Sequence, residues 1–203
     1  VHIFSRSELI EVATFRSGED QTNEGNLVTD QSGKILRDNI WGSLEQDTFR
    51  RDFTINALYY CPISGKIEDH NSGIAHIQNK KIVSIGDPMK RFSEDPVRSL
   101  RAIRFSNKLN FKIDKNVKDA IYKKGYLLEN ISNARLFDEF CKIFLSGIAE
   151  KNFNKLVSFN LNKYLILTNP NGSEFSQNLI KEALINTDKR VKNDQSVTPG
   201  FLI

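Results

Sequence analysis

Eleven consecutive residues decide how this chain is interpreted: Arg50-Arg51-Asp52-Phe53-Thr54-Ile55-Asn56-Ala57-Leu58-Tyr59-Tyr60. Two arginines and an aspartate stand directly before a run that is apolar apart from Thr54 and Asn56. Burial of that run brings Asp52 and Asn56 into surroundings of low polarity, where a carboxylate needs a cation, a metal ion or a proton. Either Arg50 or Arg51 neutralises Asp52 in a structural ion pair, or Asp52 belongs to a functional site.

A second stretch decides between these two explanations of the first: Glu94-Asp95-Pro96-Val97-Arg98-Ser99-Leu100-Arg101-Ala102-Ile103-Arg104-Phe105. Residues 50–57 resemble the RRDFTxNA motif of the class II template-independent nucleotidyltransferases, and the second stretch resembles the EDxxR motif of that family with its helical continuation. The family contains bacterial poly(A) polymerases and CCA-adding tRNA nucleotidyltransferases. The two motifs stand in the family's order and at about its usual separation, and the resemblance covers almost the whole chain.

Length and composition are those of a globular protein. The chain has 203 residues, of which 39% are hydrophobic, enough for one sizeable domain or two small ones. No stretch approaches a transmembrane span, and no signal pattern opens the sequence, so we expect a cytoplasmic protein without a membrane partner. Cys61 and Cys141 lack a CxxC spacing and are expected to be reduced, and the three histidines show no zinc-ligand pattern.

Charge is divided unevenly along the chain. Residues 1–90 hold 10 Lys/Arg against 13 Asp/Glu, a net charge of −3, whereas residues 91–203 hold 19 against 12, a net charge of +7. A basic half beside an acidic half suits a bound polyanion on one side and a carboxylate–metal site on the other. The alternative is that the lysines merely solvate helices, but the basic excess falls where the family binds RNA.

Local patterns predict an α+β fold. Strands are expected at residues 1–4 and 8–15, a long loop at 17–36, and a hairpin at 58–62 and 66–69 around Gly65. From Ser93 onward the pattern is helical, with further helices capped by Asp114 and Ser132. An apolar stripe on the last of these is expected to be packing core; its members are Leu136, Phe137, Phe140, Ile143 and Phe144.

The family resemblance implies three regions. Residues 1–90 correspond to the later part of a nucleotidyltransferase head, a mixed sheet with helices that is incomplete here. Residues 91–150 correspond to a helical neck that binds RNA and nucleotide, and residues 151–203 to the start of a helical body.

Glu11 stands out in the second predicted strand. Alternation places Leu9, Glu11, Ala13 and Phe15 on one face, so this carboxylate shares a face with three apolar side chains. It is either paired, with Arg16 as one partner, or aimed into a site. Residues 10–16 resemble the family's strand after its catalytic pair, which favours the site.

The resemblance implies nucleotidyl transfer, in which an RNA 3′-hydroxyl attacks the α-phosphate of ATP. Two Mg²⁺ ions held by carboxylates stabilise charge on the attacking and leaving oxygens. Asp52 is the first choice and Glu11 the second for a catalytic, metal-binding carboxylate that joins an Asp-x-Asp pair. Arg51 and Asn56 are expected to face the triphosphate or sugar, although Arg51 has the alternative of an ion pair with Asp47 or Asp52.

Four residues of the second stretch are expected to bind nucleotide. Ser93 is the predicted N-cap of their helix, on which Glu94 and Arg98 are four residues apart and Asp95 and Arg98 three apart, so they share a surface patch. A first-turn ion pair is the simpler explanation. The resemblance implies that Asp95 and Arg98 read the edge of the incoming base, while Arg101 reaches a phosphate or braces them.

The chain departs from the family in two places. No Asp-x-Asp pair and no Gly-rich turn occur in residues 1–16, so we expect a fragment of a longer protein that is inactive alone. In the segment 69–77, Ser72 replaces a glycine and His76-Ile77 replaces the usual Asp-Leu.

The family branch is predicted from small similarities. His2-Ile3, residues 58–60 and residues 186–190 look more like poly(A) polymerases, which add AMP to RNA 3′ ends in RNA processing and decay. A CCA-adding enzyme is the alternative, and a non-catalytic RNA-binding module is an alternative of another class.

Overall fold

The computed structural model describes residues 1–6, 8–17, 41–165 and 174–201, without the side chains of 174–177. It divides into two compact units, Val1–Ile74 (unit 1) and Ala75–Ile203 (unit 2). Helices and short β-ladders make up both, which confirms the α+β class. The predicted loop at 17–36 lies outside the described residues except for Ser17. Within the described ranges, no helix has the length and apolar character needed to cross a membrane.

The described residues of unit 1 form two antiparallel strand pairs and one helix that lies wholly within the unit. Strand β1 (His2–Ser5) pairs with β2 (Glu8–Glu11), and β3 (Leu58–Cys61) pairs with β4 (Lys66–Asp69). The predicted hairpin is therefore confirmed, and Gly65 supplies the positive φ of its turn. The prediction that β2 reaches residue 15 was wrong, because its ladder ends where the Val12 N–H donates to the carbonyl of Val1.

The first motif begins directly after the helix of unit 1 and ends within β3. Helix α1 (Leu44–Phe49) leads into a 3₁₀ turn, Thr54–Asn56, and both precede β3. Phe53 and Ala57 are fully buried, so the apolar run of the motif forms part of the core, as its sequence predicts.

Unit 2 is almost entirely helical. Helix α2 (Gly73–Gln78) spans the boundary between the units, and a short parallel pair of strands is the only sheet among the described residues of unit 2. The elements that follow α2 are β5 (Lys81–Ile82), α3 (Pro88–Glu94), α4 (Val97–Leu109), β6 (Lys112–Ile113), α5 (Lys115–Lys124), α6 (Asn133–Phe144), α7 (Ala149–Ser158) and α8 (Glu174–Lys192). Three 3₁₀ turns complete the unit: Gly125–Asn130, Asn162–Tyr164 and Pro199–Phe201.

The second motif does not begin a helix at Ser93, which corrects the sequence prediction. Asp87 caps α3, with Pro88 in the first turn, and Glu94 is the last residue of that helix. Asp95 adopts an extended conformation because Pro96 disfavours the helical region for the residue before it, and α4 begins at Val97. Ser93 instead donates its hydroxyl to the Met89 carbonyl.

Helix α4 lies at the centre of unit 2 and packs against α5, α6 and α7. The apolar stripe of α6 is packing core as predicted, with Phe140, Ile143 and Phe144 buried, although Phe137 is exposed. Asp114 caps α5 through the Asn116 N–H, as its position predicts.

Buried amides join the helices of this core. The Nδ2 of Asn152 donates to the Ile143 carbonyl at 2.7 Å, and its Oδ1 accepts from Asn107 Nδ2 at 2.9 Å. Since Asn152 is fully buried, these bonds satisfy polar atoms that have no access to water.

A carboxylate of α8 caps α7 from outside that helix. Asp188 accepts hydrogen bonds from the backbone N–H groups of Ala149, at 2.5 Å, and Glu150, at 3.2 Å. A negative charge at a helix N-terminus also interacts favourably with the helix dipole.

Candidate functional site

The first motif is built around a buried acid that precedes it, Asp47 on α1. A capping box starts this helix: the Ser43 hydroxyl accepts from the Gln46 N–H, and the Gln46 side chain accepts from the Ser43 N–H. The helix turns Asp47 inward until its side chain is 3% exposed.

Four residues donate hydrogen bonds to Asp47. Its Oδ1 accepts from Arg50 Nε at 2.7 Å and from the Arg16 backbone N–H at 3.2 Å. Its Oδ2 accepts from Arg51 Nη2 at 3.1 Å, from Arg51 Nε at 3.3 Å and from the Tyr59 hydroxyl. We call Asp47, Arg50, Arg51 and Tyr59 the Asp47 cluster.

The Asp47 cluster shifts the pKa values of its members. Burial alone raises the pKa of Asp47, but the hydrogen bonds of Tyr59, Arg50 and the Arg16 N–H outweigh it and bring this pKa to about 2. Burial raises the pKa of Tyr59, and its hydrogen bond to Asp47 adds to the effect. Burial opposes the charge of Arg51, yet Tyr59 and Asp47 raise its pKa above the ordinary arginine value.

Arg51 therefore makes the ion pair with Asp47 that the sequence left open. The Arg51 side chain also donates from Nε to the Tyr59 hydroxyl at 3.0 Å and from Nη1 to the Asn56 carbonyl at 3.3 Å. Its guanidinium carbon lies 5.2 Å from the centroid of the Tyr59 ring. These contacts fix the orientation of the guanidinium, which a group that binds phosphate also requires.

Asp52 precedes the 3₁₀ turn and contacts Asn56, the last residue of that turn. Asp52 is buried, and its Oδ1 accepts from the Phe53 N–H at 2.8 Å and from Asn56 Nδ2 at 3.0 Å. The second half of the motif thus forms a local hydrogen-bonded turn, and two of its predicted site residues are in direct contact.

The segment after β4 packs on this turn. The Asp69 carboxylate accepts from the N–H groups of Gly73 and Ile74 at 2.8 and 2.9 Å. A Cβ on Gly73 would lie 2.5 Å from the Thr54 carbonyl oxygen, so only glycine allows this approach. Ser72 has a φ of +58°, a conformation that favours the glycine which the family has at this position.

Glu11 is exposed, unlike the buried acids Asp47 and Asp52. It is the last residue of β2, its side chain is 74% exposed, and its carboxylate is 3.9 Å from His2 Nε2 on the paired strand. The strand face that it shares with Leu9 is not covered, since the residues of β1 and β2 are exposed on both faces.

The second motif spans the junction of α3 and α4 in unit 2. Glu94 Oε2 pairs with Arg91 Nη1 at 3.0 Å and with Arg98 Nη1 at 3.5 Å. Asp95 accepts from the Val97 N–H through Oδ1, and its Oδ2 pairs with Arg135 on α6 at 2.7 Å.

The predicted patch is present, with an additional partner for each acid. Glu94 and Arg98 are in contact although they lie on different helices, and Asp95 and Arg98 are joined by a backbone hydrogen bond. Arg101 is half-buried, and its guanidinium lies 5.3 Å from the centroid of the Phe105 ring.

No complete metal site is found in the described part of the chain. Among those residues, no group of three or more His, Cys, Asp or Glu side chains could hold a metal ion. Neither Asp52 nor Glu11 therefore belongs to such a group. The described residues do not by themselves fit the Mg²⁺ that the resemblance implies.

Sequence reasoning missed three partners of the predicted residues. Asp47 entered only as an alternative partner for Arg51, although its spacing of three and four residues from two arginines indicates a shared acid. Arg91 and Arg135 were not considered. Arg91 could have been found from Asp87-Pro88, which marks the start of α3, whereas no local signal connects Arg135 with Asp95.

The chain is similar to known proteins in both sequence and fold. A family profile described as the poly A polymerase head domain matches residues 1–83, and one described as a probable RNA and SrmB-binding site of polymerase A matches residues 110–176. Poly(A) polymerase I of Salmonella typhi is 40% identical over 99% of this chain and 45% of its own length. The CCA-adding enzyme of Lactococcus lactis subsp. cremoris (strain MG1363) is 30% identical over 98% of this chain and 46% of its own.

A solved structure shows the same fold. The Bacillus stearothermophilus CCA-adding enzyme in complex with CTP superimposes with a TM-score of 0.63 and 29% identity, over 92% of this chain and 40% of that protein. The chain spans about half the length of the curated relatives it matches. Both family motifs, two matched regions and a shared fold lead to one conclusion: this chain belongs to the family of poly(A) polymerases and CCA-adding nucleotidyltransferases.

Proposed function

We propose that the protein containing this chain adds AMP from ATP to RNA 3′ ends without a template. The observation that carries the proposal is the 40% identity with poly(A) polymerase I across 99% of the chain, which exceeds the 30% identity with the CCA-adding enzyme over a similar span. RNA processing in the cytoplasm is the corresponding biological role.

Within this activity, the residues of unit 1 would bind the nucleotide. The Asp47 cluster fixes the guanidinium of Arg51 beside the Asn56 carbonyl, so Arg51 needs little reorganisation before it contacts a triphosphate or sugar. Asn56 and Asp52 already form a joined turn. The assignment of Asp52 or Glu11 as a catalytic carboxylate stays a prediction.

In unit 2 the second motif would select the base. Glu94 holds Arg98 and Arg135 holds Asp95, so the donors and acceptors of this patch have fixed positions. Fixed donors and acceptors can distinguish the amino group of adenine from other base edges, because a mismatched base leaves a polar group unpaired. Arg101 would brace this patch or reach a phosphate. The division into head, neck and body at residues 90 and 150 also stays a prediction.

The test is a transfer assay on the complete gene product that contains this chain. It compares ATP alone with ATP plus CTP on a generic RNA and on a tRNA that lacks its terminal CCA. We expect adenosine tails on both RNAs with ATP alone. Addition of CCA to the tRNA without tailing of the generic RNA would establish the alternative, and RNA binding without transfer would establish a non-catalytic module.

Two variants connect the assay with the site. Arg98→Ala should lower transfer by more than tenfold, whereas Lys181→Gln, which removes a charge from α8, should leave it unchanged. The isolated 203-residue chain should incorporate no ATP, and incorporation by it would contradict the requirement for an Asp-x-Asp pair.

A further inference from the structure

Tyr59 lies between the buried acid Asp47 and the guanidinium of Arg51. Its backbone belongs to β3 and is fixed by pairing with β4, in which Tyr59 stands opposite Glu68. Successive side chains of a strand point to opposite faces. Tyr59 therefore reaches the Asp47 cluster, whereas the next residue, Tyr60, is 64% exposed. The strand thus supplies one tyrosine to the cluster and a neighbouring tyrosine that stays outside it.

The hydroxyl of Tyr59 contacts both charged partners at once. Its O–H donates to Asp47 Oδ2, and its oxygen accepts from Arg51 Nε at 3.0 Å. Burial raises the pKa of Tyr59, and the hydrogen bond to Asp47 adds to the effect, so the hydroxyl keeps the proton that it donates. Arg51 Nε also lies 3.3 Å from Asp47 Oδ2. The hydroxyl and the carboxylate therefore share this donor.

The ring of Tyr59 adds a second contact with the same arginine. The guanidinium carbon of Arg51 lies 5.2 Å from the centroid of the ring, within the distance at which a cation is attracted to an aromatic face. Phe15 packs edge to face against this ring, with the two centroids 5.6 Å apart. Phe15 thus holds the ring, and the ring and its hydroxyl together hold Arg51.

Tyr59 and Asp47 act on Arg51 in different ways. The carboxylate neutralises charge, and it divides its own charge between Arg50 and Arg51. A neutral hydroxyl orients a guanidinium without neutralising it, so the positive charge is retained for an anion. The Arg51 side chain is 40% exposed, so a ligand can reach it from outside. Tyr59 therefore meets the requirements for directing a cation that binds substrate.

We propose that Tyr59 is a positioning residue for nucleotide binding, because its hydroxyl and ring hold the Arg51 guanidinium in the orientation that contacts the triphosphate or sugar of ATP. A preoriented group loses less freedom when the ligand binds. The inference rests on the proposed function and adds to it a residue outside both predicted sets of site residues. Tyr59 acts through Arg51 and touches no reacting atom.

The first experiment measures AMP transfer to RNA by the complete gene product that contains this chain. Tyr59→Phe removes the hydroxyl and keeps the ring, and it should lower kcat/KM for ATP about fivefold or more, because a hydrogen bond to a charged group is lost. Tyr60→Phe removes the hydroxyl of the exposed neighbour and should change kcat/KM by less than about twofold. Circular dichroism verifies that each variant is folded.

The second experiment separates positioning from a purely structural role. Arg51→Ala removes the guanidinium, so adding Tyr59→Phe to this variant should change kcat/KM by less than about twofold further. A tyrosine that only stabilises the fold would instead lower kcat/KM by the same factor with and without the guanidinium. Arg51→Lys provides a second background, in which the charge is kept but Nε is absent, and the same small change is expected there.

Equilibrium dialysis of labelled ATP, without RNA, follows binding in the same variants. Tyr59→Phe should weaken ATP binding about fivefold when Arg51 is present and less than about twofold when it is absent. Two results would overturn the inference: kcat/KM and ATP affinity that are unchanged in Tyr59→Phe, or equal losses with and without Arg51. Failure of the proposed function is a separate result, in which the unmodified protein adds no AMP to RNA while Tyr59→Phe still weakens ATP binding through Arg51.

Discussion

The polar cluster inside unit 1 carries full charges, whereas the one inside unit 2 consists of neutral amides. Asp47 binds two arginines and a tyrosine, and Asn152 binds Asn107 and a backbone carbonyl. Both clusters satisfy buried polar atoms, but only the first depends on protonation. The motif that looks most functional in the sequence therefore also has a structural role, since one of its predicted nucleotide-binding residues, Arg51, is part of the charged cluster.

The largest effect that separates the two clusters is expected from Asp47→Ala. The substitution removes the acceptor of two guanidinium groups, and breaking a buried ion pair typically costs about 3–5 kcal/mol. Urea denaturation followed by the emission of Trp41, the single tryptophan, should show this loss. Glu45→Ala removes an exposed acid from the same helix and should cost less than about 0.5 kcal/mol. Equal losses in both variants would show that the Asp47 cluster contributes no more than a surface charge.

Asn152→Ala is expected to have the next largest effect, about 2–3 kcal/mol. The Ile143 carbonyl and the Asn107 amide each lose a buried partner, and unsatisfied buried groups cost about 1–3 kcal/mol. Thermal denaturation followed by helical ellipticity measures the loss, with Asn154→Ala, an exposed amide of the same helix, as the control. If the two variants have the same melting temperature, water has replaced the amide of Asn152 as the hydrogen-bond partner.

Lowering the pH should reduce the contribution of Asp47 to the free energy of unfolding by about 2 kcal/mol and leave that of Asn152 unchanged. The pKa of Asp47 is lowered from 3.8 to about 2, so its contribution is complete above pH 4 and is lost as the pH falls through 2. The difference in unfolding free energy between the unmodified chain and Asp47→Asn should therefore shrink between pH 5 and pH 2. The corresponding difference for Asn152→Ala should stay constant over this range, and a parallel change in both would contradict the assignment.

Tyr59→Phe is expected to have the smallest effect, about 1–2 kcal/mol. The ring and its packing remain, but Asp47 and Arg51 each lose a hydrogen bond to the hydroxyl. The pKa of Asp47 should rise because a donor to its charged form is gone, which moves the acid transition to higher pH. Tyr60→Phe, an exposed neighbour on β3, serves as the control for loss of a hydroxyl. An unchanged acid transition in Tyr59→Phe would mean that the arginines alone set the pKa.

Local chemistry accounts for what the sequence predicts well. The turn at Gly65, the Asp114 cap and the burial of Phe53 each follow from the preferences of residues close in the chain. The helix boundary at Ser93 was missed because Ser93 and Asp87 are both good caps, and Pro96 decides between them by forcing Asp95 out of the helical conformation.

Long-range contacts explain what the sequence leaves out. Arg135 reaches Asp95 from a helix forty residues downstream, and Lys155 of α7 donates to Ser106 of α4 across a similar distance in sequence. Periodicity describes one helix at a time, so it contains no information about which two faces meet. The predicted site residues were identified from their motifs, whereas the residues that hold them in place could be identified only from the structure.

The cap that Asp188 places on α7 connects the last described helix of the chain with the core of unit 2. Helix α7 carries Asn152, and its first turn is held by a carboxylate that belongs to α8. The positions of the buried amides thus depend on a residue that contacts none of them. Substitutions in α8 can consequently weaken the amide network without changing any group that belongs to it.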